Sequence, residues 1–165
     1  MEITRIDPFL HYLDRHRNRT LRVFDEVPPD RLEWRPGPER FSFGDVLRHL
    51  ASLERYMYAE NALGRPSRYP GHGEELASGY EEVRDFAVRM HEETLEILSR
   101  LSTDDLLQDT QTPAGASITV WKWLRTMTEH EAHHRGQIYA LLRQIGKRGP
   151  PLYGLTSEQV RKRSI

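Results

Sequence analysis

The longest helical pattern in this 165-residue sequence is VWKWLRTMTEHEAHHRGQIYALLRQI, residues 120–145. Its apolar residues recur at intervals of three or four positions, which predicts one amphipathic helix. They are Val120, Trp123, Leu124, Met127, Ile138, Leu141, Leu142 and Ile145. Gly146 follows directly and suits the C′ position, where a left-handed backbone ends a helix. A helix of this kind must bury its apolar face against other elements, so the rest of the chain has to supply its partners.

Three further stretches have the same helical spacing of apolar residues. They lie at residues 7–27, 42–64 and 78–101, and proline- or glycine-rich segments separate them. Alternating β-branched residues are nearly absent, so no strand is predicted. Four amphipathic helices with two longer connections predict an all-α four-helix bundle. The length of the chain favours one domain, spanning residues 1–165.

Two of these helices are expected to begin with a capping box. In this motif the side chain of the first residue bonds to the backbone N–H of the fourth, and the fourth side chain bonds back. Ser42 with Asp45 has this spacing, and so does Ser78 with Glu81. After the third helix, residues 102–105 are rich in serine, threonine and aspartate, which predicts a turn or a short extra helix.

The composition excludes several kinds of chemistry. The sequence contains no cysteine, so disulfides, thiolate metal ligands and a cysteine nucleophile are ruled out, and thiol chemistry would need a small-molecule thiol. The net charge is −1, and charges of both signs are mixed along the chain, so neither nucleic acid nor a membrane surface is an expected partner. Arginine clusters in residues 15–22 and 161–163 are expected to be solvated faces. Without a signal peptide or spanning segment, a cytoplasmic protein is expected.

Helical phase separates the three histidines of the longest helix. At about 100° per residue, His134 lies about 20° and His130 about 60° from the centre of the apolar stripe, whereas His133 lies about 120° away. His130 and His134 are therefore expected to face the bundle one turn apart, close enough to share one metal ion. Packing without metal is the alternative for an isolated pair of this kind.

A histidine on the second helix is expected to join this pair. His49 lies at the interior margin of the apolar stripe formed by Val46, Leu50, Leu53 and Met57. Two facing helices can thus bring three imidazoles to one point and leave the opposite side of a bound metal open, as a catalytic site requires. Of the remaining histidines, His11 and His72 are expected to be exposed. His16 is expected to pack without binding metal, and His91 flanks the apolar stripe of its helix.

Three other polar side chains are expected to face the interior. Glu131 falls within the apolar stripe of its helix, which is unusual for a carboxylate and requires a buried partner. On the first helix, Arg17 and Thr20 also fall within the stripe. They can line a polar cavity, although arginine can also bury its stem and keep its charge in water.

Residues 130–134 also spell His-Glu-x-x-His, the pattern of zinc proteases. Such proteases take a third ligand from a downstream element and bind substrate along the edge of a sheet. No histidine follows His134 in this sequence, and no sheet is predicted. The protease interpretation is therefore not favoured.

The sequence resembles the DinB/YfiT-like superfamily of damage-inducible metalloproteins, which is unrelated to the DNA polymerase of the same name. The resemblance lies in residues 43–50, Phe-Gly-Asp-Val-Leu-Arg-His-Leu, in the Trp34-x-Pro36 connector, and in residues 130–138, His-Glu-Ala-His-His-Arg-Gly-Gln-Ile. It implies an up-down-down-up bundle and frequent homodimerisation. It also implies a divalent metal, zinc or nickel, bound by His49, His130 and His134.

The resemblance further implies a class of reaction. Characterised relatives include S-transferases and isomerases that use low-molecular-weight thiols, and others are assigned only provisionally as hydrolases. The expected function is therefore metal-dependent chemistry on a small molecule, of the thiol-transferase or the hydrolase type. Glu131 is expected to act as a general base or to orient a histidine. The alternative is a non-catalytic bundle that binds metal or a ligand in a stress response.

Overall fold

The computed structural model describes residues 2–164, and most of them are helical. In chain order the elements are α1 (Ile6–Phe24), a 3₁₀ turn (Pro29–Arg31), α2 (Phe43–Leu53), a π-helical turn (Glu54–Tyr58), α3 (Ala59–Ala62), α4 (Tyr80–Leu98), α5 (Thr103–Leu107), β1 (Asp109–Gln111), β2 (Ser117–Thr119), α6 (Val120–Gln144) and α7 (Ser157–Arg163). Because the π turn joins α2 to α3 without a break, these segments form the second long helix of the bundle. The four-helix, all-α prediction is confirmed.

Two clusters of buried side chains give the direction of each long helix. One cluster contains Phe24, Val46, Val83 and Ile138. The other contains Leu13, Leu53, Leu98 and Leu124. α1 and α6 therefore run from the second cluster to the first, whereas α2 and α4 run in the opposite direction. The order along the chain is up-down-down-up, as the family resemblance implies.

The predicted start of the second long helix and the predicted end of the fourth are both confirmed. At the start of α2, the Asp45 backbone N–H donates to Ser42 Oγ over 3.0 Å, and the Ser42 N–H donates to Asp45 Oδ2 over 2.9 Å. At the end of α6, Gly146 has a φ of +75°. The Lys147 N–H then donates to the Leu142 carbonyl over 2.8 Å, which completes the expected C-terminal cap.

Two local predictions are wrong. α4 does not begin with a capping box at Ser78; instead Gly79 precedes it with a φ of +84°, a conformation that glycine adopts without strain. The structure also contains a short antiparallel hairpin, in which Thr110 of β1 pairs with Ile118 of β2. Strands of three residues are too short for an alternating pattern to mark them. α5, in contrast, confirms the short helix expected after α4.

The arginines of α1 do not form one solvated face. Arg15 and Arg22 are exposed as expected, but Arg17 is buried, with 1 % of its surface accessible. This burial confirms that Arg17 follows the apolar stripe of its helix, and it removes Arg17 from any basic surface patch. Within residues 2–164, no helix has the length and hydropathy needed to cross a membrane.

Candidate metal centre

Three histidines converge between α2 and α6. One nitrogen from each of His49, His130 and His134 lies within 4.8 Å of the others. The Nε2 atoms of His130 and His134 are 3.0 Å apart, and the ring centroid of His49 lies 4.6 Å from that of His134. His134 is buried, and the other two are half-buried. Three nitrogen donors in this arrangement are close enough to bind one metal ion.

The phases of two capped helices produce this convergence. The capping box fixes where α2 starts and therefore which face of the helix carries His49. The Phe41 ring, just before the cap, lies nearly parallel to the His134 ring at 6.3 Å and packs edge-on against His49 at 5.3 Å. His133 lies outside the group and is exposed, as its phase on α6 predicts.

The hydrogen bonds of His134 favour the tautomer that can bind metal. Its Nδ1 lies 2.7 Å from Gln137 Oε1, an amide oxygen that only accepts hydrogen bonds. Nδ1 therefore carries the proton, and the lone pair of Nε2 is directed toward His130. The Gln137 amide nitrogen lies 3.2 Å from His133 Nε2, so the same amide donates outward to a second imidazole. Such outer contacts fix the orientation of a metal-binding histidine.

The surroundings also keep the three imidazoles neutral, which metal binding requires. Burial, together with His134 and His130, lowers the pKa of His49 to about 3. Burial and the neighbouring His134 lower the pKa of His130 to about 4. Burial lowers the pKa of His134 as well. Proton competition for the lone pairs is therefore weak at neutral pH.

These shifts predict that the metal-free protein loses stability as the pH falls. An unfolded histidine gains a proton near pH 6.5, while His49 in the folded state stays neutral down to about pH 3. The unfolded chain therefore binds more protons, and the free energy of unfolding falls as the pH drops below 6.5. Urea unfolding between pH 7.5 and 5 would measure this decrease. It should be smaller in a His49→Gln variant, and a free energy of unfolding that rises on acidification would contradict the prediction.

Glu131 has the buried partners that its position requires, and they are not the histidines beside it in the sequence. Only 2 % of the residue is exposed. Its Oε1 accepts a hydrogen bond from Thr20 Oγ1 over 2.5 Å, and its Oε2 lies 3.5 Å from Arg17 Nη2. Both partners are on α1. In residues 2–164 the carboxylate thus links α6 to α1, and the expectation that it orients a histidine or acts as general base is not supported by these contacts.

The same arginine organises a buried ionic cluster that the sequence did not reveal in full. Arg17 pairs with Glu54, the first residue of the π-helical turn. Glu54 Oε1 also lies 2.7 Å from Nδ1 of His91, which is buried on α4. Burial raises the pKa of Glu54, but Arg17 and His91 outweigh it and lower the pKa to about 2. Arginine in an apolar stripe was the signal for this cluster, whereas its partners lie on three other segments of the chain and no local pattern indicates them.

Two further residues near His49 were missed. His72, which was expected to be exposed, is half-buried, and its ring centroid lies 4.4 Å from that of Phe41. The Tyr69 hydroxyl lies 2.8 Å from His49 Nδ1 and 3.1 Å from His72 Nδ1. Both residues lie in the segment between α3 and α4, which has no periodicity that could indicate their contacts.

An open groove of about 650 Å³ lies beside His134. Part of its wall is apolar, formed by Phe41, Val46 and Leu141. The rest is polar and includes Arg40, Gln137 and Gln144. Sites for small molecules typically measure about 300–1,000 Å³ and combine apolar walls with a few polar groups. The groove can therefore admit a small molecule next to His134, the one of the three histidines that lines it.

The chain is similar in sequence and in fold to known proteins of one family. A sequence model described as the DinB superfamily matches residues 12–138. The uncharacterized protein YjoA of Bacillus subtilis strain 168 is 25 % identical over 147 residues, which cover 87 % of this chain and 92 % of that protein. The crystal structure of a DinB-like protein from Bacillus cereus covers 90 % of this chain and 97 % of its own, with a TM-score of 0.74 and 21 % identity. The crystal structure of B. subtilis YjoA has a TM-score of 0.73 and 21 % identity and covers 89 % and 98 %.

Proposed function

The chain belongs to the DinB superfamily, and from this membership and the geometry of its three histidines we propose that it binds a divalent metal ion through His49, His130 and His134. The observation that carries the proposal is the approach of three neutral imidazoles from two helices. Imidazole ligation suits zinc and nickel, which are the metals proposed here. Three protein ligands leave at least one coordination position open, as in catalytic rather than structural zinc sites.

We further propose that the protein is an enzyme acting on a small molecule that enters the groove beside His134. A metal bound there would supply Lewis-acid chemistry, which favours the ionisation of water or of a thiol. Gln137 holds His134 in its metal-binding tautomer, and the Phe41 ring packs against the rings of His134 and His49. The chain has no cysteine, so a thiol-transferase reaction takes its thiol from a small molecule, whereas a hydrolase reaction needs only water. A homodimer, which sedimentation equilibrium would detect, is part of the same proposal.

Metal analysis and a paired assay test this function. We expect purified protein loaded with zinc or nickel to retain about one ion per chain. Its activity on a panel of electrophiles and esters should disappear with a chelator and return with metal. Dependence on an added low-molecular-weight thiol would identify a transferase, and activity without thiol a hydrolase.

Two outcomes would contradict the proposal. Substoichiometric metal in the wild-type protein would contradict the metal site itself. Stoichiometric metal without activity on either class of substrate, together with a large fall in the melting temperature on chelation, would instead favour a non-catalytic metal-binding bundle.

A further inference from the structure

The segment between α3 and α4 contributes two side chains to the site, although it contains none of the three converging histidines. The Tyr69 hydroxyl lies between two imidazoles, 2.8 Å from Nδ1 of His49 and 3.1 Å from Nδ1 of His72. Both rings also lie against Phe41, with centroids at 5.3 Å and 4.4 Å from it. The hydroxyl therefore has an imidazole nitrogen on each side.

The direction of these hydrogen bonds decides which nitrogen of His49 has a free lone pair. A tyrosine hydroxyl carries one proton and can donate to only one of its two neighbours. If it donates to His72 Nδ1, it accepts from His49 Nδ1, and the lone pair of His49 is then on Nε2. If it donates to His49, the proton of that ring is on Nε2, and Nε2 cannot bind metal. Only the first direction, in which Tyr69 donates to His72 and accepts from His49, is compatible with a metal bound through Nε2 of His49.

The backbone around Tyr69 is anchored at both ends, so the hydroxyl is not on a freely moving loop. The Arg68 N–H donates to the Tyr56 carbonyl over 2.7 Å. The His72 carbonyl accepts from Arg48 Nη1 over 3.0 Å, and Arg48 has no exposed surface. Arg48 and His49 are consecutive on α2, so one turn of that helix holds the loop and contacts its tyrosine.

We propose that Tyr69 is the positioning residue for His49 and that His72 is the acceptor that orients the Tyr69 hydroxyl. The proposal rests on the proposed metal site. It gives His49 the same kind of outer contact that His134 has, where Gln137 stands between the inner imidazole and His133. Two of the three proposed ligands would then be fixed through a hydrogen-bond chain that ends at an outer histidine.

Removing only the hydroxyl tests this role. In a Tyr69→Phe variant we expect zinc or cobalt(II) to bind about 10- to 100-fold more weakly, because the loss of an outer partner of a ligand typically has this effect. The visible absorption spectrum of the cobalt(II) form should change, since the spectrum reports ligand geometry. Tyr69 is 37 % exposed, so the melting temperature of the metal-free protein should not change. Tyr153→Phe, at a residue that is 79 % exposed, is the matched control and should bind like the wild type.

Substitutions at His72 test the orientation of the hydroxyl. His72→Leu removes the acceptor and should weaken cobalt binding as Tyr69→Phe does. His72→Asn keeps an acceptor near the position of Nδ1 and should restore most of the affinity. Wild-type affinity and spectrum in Tyr69→Phe would overturn the positioning role while leaving the metal site intact. Failure of the wild-type protein to bind cobalt or zinc would instead overturn the proposed function.

Discussion

Replacing His134 with alanine is expected to weaken binding of zinc or nickel by more than about a hundredfold. Loss of an outer hydrogen-bond partner already lowers metal affinity by about 10- to 100-fold, and loss of a ligand must have a larger effect. His134 is close to both partners, with its Nε2 atom 3.0 Å from His130 Nε2 and its ring centroid 4.6 Å from that of His49. Competition against a chromophoric chelator would measure the dissociation constants of wild type and variant.

His133→Ala is the matched control, since it removes an exposed imidazole one position earlier on α6. His133 bonds to the Gln137 amide, and its ring lies edge-on to the His134 ring with the centroids 5.0 Å apart. It is an outer contact of His134 rather than one of the three converging histidines, so its loss should weaken binding by about tenfold at most. Equal losses in both variants would contradict the assignment of His134 as the ligand. Urea unfolding of the metal-free His134→Ala protein would show whether the variant is folded, which it should be because His134 makes hydrogen bonds but no ion pair within residues 2–164.

The sequence was sufficient to predict the three converging histidines because each lies in a regular α-helical segment, His49 in α2 and the other two in α6. Helical phase placed His130 and His134 on the buried face of α6 and left His133 exposed. The capping box at Ser42 set the phase of α2, and His49 follows from it. In a regular helix, the position of a residue in the sequence determines the direction of its side chain. Once α2 and α6 were paired, the three imidazoles therefore had to face one another.

The outer contacts of the site could not be predicted in the same way. Tyr69 and His72 lie in a segment without periodicity, and hydrogen bonds from Arg68 and Arg48 hold it in place. The sequence of this segment does not indicate which distant groups form these hydrogen bonds. Glu54 likewise pairs with Arg17 of α1 and His91 of α4, and the spacing of residues along one helix does not indicate which side chains of other helices it meets.

The buried ionic cluster around Arg17 connects helices, and within residues 2–164 it forms no hydrogen bond with the three converging histidines. Glu131 is next to His130 in the sequence, but its carboxylate contacts Thr20 and Arg17 rather than an imidazole. Two faces of α6 therefore differ in function. One face directs the nitrogen donors of His130 and His134 toward α2, and the other bonds to α1 through Glu131. A fixed α6 holds His130 and His134 in place, so stability and metal affinity are coupled through this helix.

Replacing Arg17 with methionine is expected to lower the free energy of unfolding by about 3–5 kcal/mol, the usual cost of removing one partner from a buried ion pair. Arg17 is 1 % exposed, and both carboxylates that it contacts, Glu54 and Glu131, are 2 % exposed. Methionine fills similar space but leaves these carboxylates without their shared cation. Urea unfolding at pH 7 would measure the loss, and Arg15→Met, at an exposed position of α1, should change stability by less than about 1 kcal/mol.

Acidification should reduce the difference between the wild type and Arg17→Met. In the wild type the pKa of Glu54 is lowered from 4.5 to about 2, so the stability contributed by its charge is complete above pH 4.5 and is lost as the pH falls toward 2. In the variant the arginine no longer offsets burial, so the pKa of Glu54 should be higher. Its protonation then relieves part of the cost as the pH falls. A difference in the free energy of unfolding that stays constant from pH 7 to pH 4 would show that the lost stability comes from packing of the arginine stem rather than from its charge.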